Sequence, residues 1–139
     1  MEYSPAMDDQ GRAIIEPWMD AFNRRDEEAF RSLCTPEVEI RPMRAAVDGT
    51  SYSGPGAVAD FFRETNEIWD DLEVRYGSSE AIENGLLVQG TLKGRGRGSG
   101  VDTEMELIWV FRFRDGLAAR VEGFADPAEA RRAASASWH

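Results

Sequence analysis

The order of patterns along the chain predicts a single α+β domain. Three observations carry that prediction: helical apolar stripes dominate the first half, alternating strand patterns dominate the second, and tight-turn signals separate the strands. The 139 residues are enough to bury one core without disulfides or metal. Residues 1–139 are read as one domain, with about 1–9 and 135–139 as loose termini.

From Gln10 to about Arg25, Ile14, Trp18 and Phe22 fall at i, i+4 and i+8, one helical stripe, with Pro17 expected to kink the helix or start a new segment. Asp26 is placed to cap a second short helix, DEEAFRSLC, whose acidic first turn suits the helix dipole. In TPEVEIRPM the alternation puts Val38 and Ile40 on one face of a first strand and Glu39 and Arg41 on the other, and Pro42 ends the pairing. A polar loop, RAAVDGTSYSGPG, leads into a third helix, AVADFFRETNEIWDD, offering Val58, Phe61, Phe62, Ile68 and Trp69 for burial.

The rest reads as strands. LEVRYGSSEAIE and LLVQGTLKG flank an Asn84-Gly85 hairpin turn, and a glycine-rich tip leads to DTEMELIWVFRF. The turn Arg114-Asp115-Gly116 then precedes LAARVEGFAD. Along MELIWVFRF, Met105, Leu107, Trp109, Phe111 and Phe113 form a wholly apolar set; Glu104, Glu106, Ile108, Val110 and Arg112 form the mixed outer set. Asp126-Pro127-Ala128-Glu129 combines an N-cap, a proline at the first helical position and a capping-box glutamate, so a last helix starts there.

Composition excludes several functions. A net charge of −10 argues against a nucleic-acid partner, which would need lysines and arginines to neutralise phosphates. No apolar run is long enough for a membrane span, and the start lacks the basic and apolar regions of a secretory signal, so a cytoplasmic protein without membrane contact is expected. The single histidine is His139, which disfavours histidine bases and zinc ligation. No cofactor and no metal site is expected: Glu104 and Glu106 lack further oxygen ligands. Cys34 has no partner to activate it and reads as a small buried hydrophobe, while Asp20 and Asn23, off the helical stripe, read as solvated. The tip KGRGRGSG fits neither phosphate-loop spacing and reads as a hairpin end, with Arg95 and Arg97 alternatively flanking a pocket mouth and favouring an anionic ligand.

The segments AFNRRDEEAFRSL, PEVEIRP, YSGPGAVADFF and RDGLAARVEGFADPAEA, in this order, resemble the SnoaL-like branch of the nuclear transport factor two-like superfamily. The resemblance implies a strongly curved antiparallel sheet wrapped around about three N-terminal helices as a cone, with a short C-terminal helix, a pocket at the open end and a homodimer through the convex face. It also implies Val121, Gly123 and Ala125 inward on the last strand, with Glu122 and Phe124 outward.

The catalytic positions of this resemblance fall on residues unsuited to the roles. The aspartate of SnoaL-like cyclases, like that of the related epoxide hydrolases, falls at Gly123. The cyclase histidine and the isomerase oxyanion-hole aspartate fall at Trp109, and the isomerase tyrosine falls at Trp18. The isomerase base falls at Arg41 or Pro42, and a further hydrolase pair falls near Gln89 and Thr91. Glycine and an indole can do none of the required proton transfer.

Three readings follow. The leading one is a SnoaL-like protein binding a small hydrophobic or planar molecule in a pocket lined by Trp18, Phe22, Val38, Ile40, Phe62, Met105, Leu107, Trp109, Phe111, Val121 and Gly123, with Gln89 or Thr91 as the polar contact. It needs space for a few ring systems that Trp18 and Trp109 do not close. The second is a cyclase, isomerase or dehydratase using relocated groups, Glu122 swung inward by a β-bulge or Glu39 with Arg41. The third is a homodimeric assembly module whose convex face includes Glu39, Arg41, Ile108 and Val110.

Overall fold

The computed structural model describes residues 5–43 and 49–138, with side chains from Gln10 onward. Among them are α1 (Pro5–Asn23), α2 (Glu27–Ser32), β1 (Cys34–Arg41), β2 (Tyr52–Ser53) and α3 (Ala57–Ile68). The second half holds β3 (Trp69–Ile82), β4 (Gly85–Gly96), β5 (Asp102–Arg114), β6 (Leu117–Phe124) and α4 (Pro127–Ser135).

α1 begins before the expected start at Gln10 and runs unbroken through Pro17. The proline removes one backbone donor and strains the preceding turn, at ~3 kcal/mol. Burial on both sides of it offsets that cost: Ile15, Trp18, Met19 and Phe22 are all below a tenth exposed. The stripe is therefore Ile15-Trp18-Met19-Phe22, and Ile14, expected in it, is 48% exposed. Asp26 caps α2 by accepting from the Ala29 amide at 3.1 Å, as its position predicted. Asp126 does the same for α4, accepting from the Ala128 amide at 2.9 Å.

The six strands form one sheet in the order β2-β1-β6-β5-β4-β3. The meander β3-β4-β5-β6 is antiparallel, but β1 lies parallel to β6, with Arg41 opposite Glu122. A chain that leaves β1, builds α3 and the long hairpins, and returns beside it can approach in the same direction. The short strand β2, with buried Tyr52, lies inside the segment expected to be only a loop. Residues 44–48 of that loop lie outside the described residues.

Bulges between Asp70 and Glu73 and between Tyr76 and Ser78 bend β3. The sheet curves without closing and wraps α1, α2 and α3 as a cone. As the edge strand, β3 is covered by α1: the Asn23 amide donates to the Val74 carbonyl and accepts from the Val74 N–H, each at 2.9 Å. Asn23, expected to be solvated, thus acts as a strand-like partner on an otherwise open edge.

Two clusters of apolar residues divide the core. The larger fills the concave side between the sheet and α1, α2 and α3. The smaller lies on the convex side, where Ala130 and Ala134 of α4 cover Leu87, Ile108 and Val110. Ile108 and Val110, expected on a dimer face, are 5% and 0% exposed beneath this helix. The C-terminal segment is also more anchored than expected: the Arg114 guanidinium stacks 4.9 Å from the Trp138 ring, and Asn84 donates to the Trp138 carbonyl. His139 lies outside the described residues. No helix among the described residues is long and apolar enough to cross a membrane.

Candidate functional site

The open end of the cone holds a cavity of about 230 Å³. Helices contribute Trp18, Met19 and Phe22 from α1, Phe30 from α2, and Phe61, Thr65 and Ile68 from α3. Strands contribute Ile40 and Arg41 from β1, Trp69, Leu72 and Val74 from β3, Leu92 from β4, Leu107, Trp109 and Phe111 from β5, and Val121 and Gly123 from β6. Pro42 and Met43, just past β1, complete the wall.

Parity explains the contribution of β5 and β6. Residues 107, 109 and 111 of β5 share one face, and register places Trp109 opposite Gly123 and Phe111 opposite Val121 on β6. Aromatic side chains of the lining brace one another and Phe62 behind them. Trp18 meets Phe30 edge-on at 4.9 Å and Phe111 at 5.6 Å, while Phe30 and Phe22 both pack edge-on against Phe62. Such pairs contribute ~0.5–1.5 kcal/mol each beyond area burial, so the helical wall is held firmly.

Glycine at two positions sets the shape. A Cβ on Gly90 would come within 2.2 Å of the Arg75 carbonyl oxygen and 2.8 Å of Trp109 Cζ3, so its absence leaves room for both the β3 backbone and the indole. A Cβ on Gly123 would sit 3.1 Å from the Met43 amide nitrogen. The backbone after β1 therefore crowds the place that an acid at position 123 would need.

Several sequence-predicted residues sit elsewhere. Val38 and Phe62, at 2% and 4% exposure, are core residues behind the lining. Met105 packs against the core near the rim without lining the cavity. Gln89 and Thr91 point away: on β4 the concave positions are 86, 88, 90 and 92, and both polar residues are exposed on the other face. The expected polar contact is thus absent from β4. Thr65 of α3 takes its place as the one uncharged hydroxyl residue among the lining residues described.

Glu122 does not enter the cavity. A register shift in the β5–β6 pairing does occur, but it lies between Arg112 and Phe113, and beyond it Glu122 stands opposite Val110 on the convex side. There it forms an alternating cluster: Arg41 lies 3.8 Å from Glu122, and Arg120 Nε lies 3.3 Å from Glu122 and 3.1 Å from Glu39. Arg120 Nε makes no aligned hydrogen bond there, so these are charge contacts rather than directed bonds. Among the described lining residues there is no carboxylate, histidine, cysteine or tyrosine, and Arg41 is the single charged one.

Other titratable groups lie outside the cavity. Arg97 is bound to Asp70 at 2.8 Å and donates to the Asn66 carbonyl, and Arg95 pairs with Asp102 at 2.9 Å. Arg95 is committed to the hairpin and Arg97 to α3 and β3, and neither is among the described lining residues. Arg95 holds the Asp102 carboxyl below its ordinary range through a hydrogen bond and charge. Burial pushes the Cys34 thiol up to about 12, leaving it a protonated, unreactive side chain. Among the described residues no three His, Cys, Asp or Glu side chains converge as a metal site.

The model of a family described as a SnoaL-like domain matches residues 15–121. No curated protein matches the chain. Among solved structures, an NTF2-like protein of unknown function from Burkholderia pseudomallei is 21% identical, with a TM-score of 0.72 over 89% of this chain and 96% of that one. A candidate SnoaL-like polyketide cyclase from Jannaschia sp. CCS1 is 20% identical, with a TM-score of 0.71 over 99% of each chain. TerC, co-crystallised with polyporic acid, is 19% identical, with a TM-score of 0.72 over 86% of this chain and 94% of that one. At these identities the likeness to the solved structures concerns the fold.

Proposed function

The chain belongs to the SnoaL-like domain family, and from that premise we propose that it binds a small, planar, apolar molecule without the family's usual catalytic acids. The observation that carries this reading is the pairing of a cavity with a wall of aromatic and aliphatic side chains that, among the described residues, offers no proton-transfer group. That TerC was co-crystallised with polyporic acid supports small-molecule binding in this fold. The relocated-acid alternative loses its main support, because Glu122 and Glu39 lie in ion-pair contacts on the outer side of the sheet.

The cavity is smaller than the few ring systems the sequence reading requires, which counts against that reading as stated from the sequence and narrows it to a smaller ligand. A cavity of about 150 Å³ lined by Leu, Ile and Phe holds one benzene, so about 230 Å³ suits roughly two fused rings rather than several ring systems. For a ligand of about 11 heavy atoms at roughly −0.4 to −0.6 kcal/mol per atom, the dissociation constant lies on the order of 10 μM to 1 mM.

The test is a titration with 2-methylnaphthalene followed by NMR. Of the four tryptophans, Trp18, Trp69 and Trp109 line the cavity and Trp138 does not. The indole N–H signals of the first three should shift and that of Trp138 should stay. If none of them moves up to the solubility limit of the probe, the binding reading fails.

We further propose a homodimer through the part of the convex face that α4 leaves uncovered, where Glu39, Arg41, Arg120 and Glu122 alternate in sign. Such a pattern can complement itself across a two-fold axis.

A further inference from the structure

Thr65 lies in the buried stripe of α3, 4% exposed, on the wall of the cavity. Its hydroxyl oxygen is sealed from solvent and has no hydrogen-bond partner. A helical threonine ordinarily escapes that situation by bonding a carbonyl one turn back. Here it does not, so a desolvated hydroxyl stands just behind a cavity wall whose other described residues, Arg41 apart, are apolar. Valine has almost the same shape and would fit an apolar stripe without leaving a hydroxyl unpaired. Threonine's two helical χ1 wells differ by about 120°, so a single rotamer step exchanges methyl and hydroxyl at the wall.

We propose that Thr65 is a specificity-determining residue: its hydroxyl, turned to the cavity by that rotamer step, binds an oxygen of a neutral, planar, two-ring ligand, such as a phenolic hydroxyl or a conjugated carbonyl. The proposal rests on the binding reading above and narrows it to a ligand class. A hydroxyl both donates and accepts, so it matches either group. A neutral ligand follows from the electrostatics. Arg41, the one charged residue among the described lining residues, is engaged with Glu122, and a carboxylate placed among the aromatic side chains would be stripped of water with little to replace it.

The experiment compares 2-naphthol with 2-methylnaphthalene, which differ by OH against CH₃, on the full chain and on Thr65→Val and Thr65→Ser. Binding is read from the indole N–H signals of Trp18, Trp69 and Trp109, and native folding of each variant from its amide spectrum. The preference for 2-naphthol over 2-methylnaphthalene should fall about tenfold in Thr65→Val and return to within about threefold of the parent in Thr65→Ser. Both probes are measured on each protein, so a general effect of the substitution on the cavity cancels in the preference. An unchanged preference in Thr65→Val overturns the role of Thr65 while leaving the cavity as a binding site. If neither probe shifts the parent's signals, the binding reading and this inference fall together.

Discussion

Cys34 shows how burial of one side chain turns into a pH dependence. Its thiol is 7% exposed, sits at the start of β1, and contacts the Phe30 carbonyl at 3.4 Å. Desolvation raises its pKa from 9.0 to about 12. The folded state therefore holds this proton more tightly than the unfolded chain. The associated stability is fully present below pH 9 and is lost as pH rises toward 12. Between those values wild type should lose up to ~1.4 kcal/mol per pH unit more than Cys34→Ala, as measured by urea unfolding at pH 8 and pH 10. Equal losses in the two proteins would mean that the thiol ionises in the fold as easily as in the unfolded chain. Gly123 carries a different lesson at the same scale. Because a Cβ there meets the Met43 amide nitrogen at 3.1 Å, an aspartate would have to push back the backbone that follows β1. The missing acid is thus a matter of backbone path as well as of residue type.

At the scale of elements, Arg112 decides whether α4 stays docked. It is 2% exposed on β5 and donates to the carbonyls of Glu83, Ala133, Ala134 and Ala136, the last three at 2.9, 3.1 and 2.9 Å. Its guanidinium therefore satisfies the C-terminal carbonyls of α4 and favours the negative end of the helix dipole. Arg131 also pairs with Glu80 on β3. Arg112→Leu should cost about 3 kcal/mol in urea unfolding, because several buried carbonyls lose their donor at once. Amide exchange in α4 should speed up with it. A loss below about 1 kcal/mol would show that water replaces the guanidinium easily. Arg112 reads in the sequence only as one of the outer residues of β5. Its role becomes visible once α4 is seen to lie across Leu87, Ile108 and Val110. The same helix explains the misplaced polar contact on β4. Leu86 and Val88 enter the concave core while Leu87 is buried under α4, so the run has no alternation from which to read the faces of Gln89 and Thr91.

For the whole molecule, α4 divides the convex surface. Its half over β4 and β5 is already used, which leaves the charged area on β1 and β6 as the interface proposed above. Sedimentation at micromolar concentration should give twice the mass of one chain. Glu39→Arg, which leaves one acid among three arginines, should shift the protein toward monomer in low salt. A monomeric parent at that concentration would rule out this interface as a stable one.

Alternation and capping are local, so the sequence alone was enough to place Asp26 and Asp126 as helix caps, and Leu107 and Phe111 on one face of β5. The resemblance added Val121 and Gly123 on the matching face of β6. These features depend on backbone geometry over a few residues, and that geometry carries over directly from pattern to fold. The parallel pairing of β1 with β6, the path of Met43 across Gly123, the covering of Val110 and the isolation of the Thr65 hydroxyl depend on segments far apart in the chain. Only packing in three dimensions decides which faces are covered and which polar atoms lose water. For that reason the aromatic character of the cavity was readable in the residues, whereas its size and the unpaired Thr65 hydroxyl behind its wall emerged from the tertiary structure.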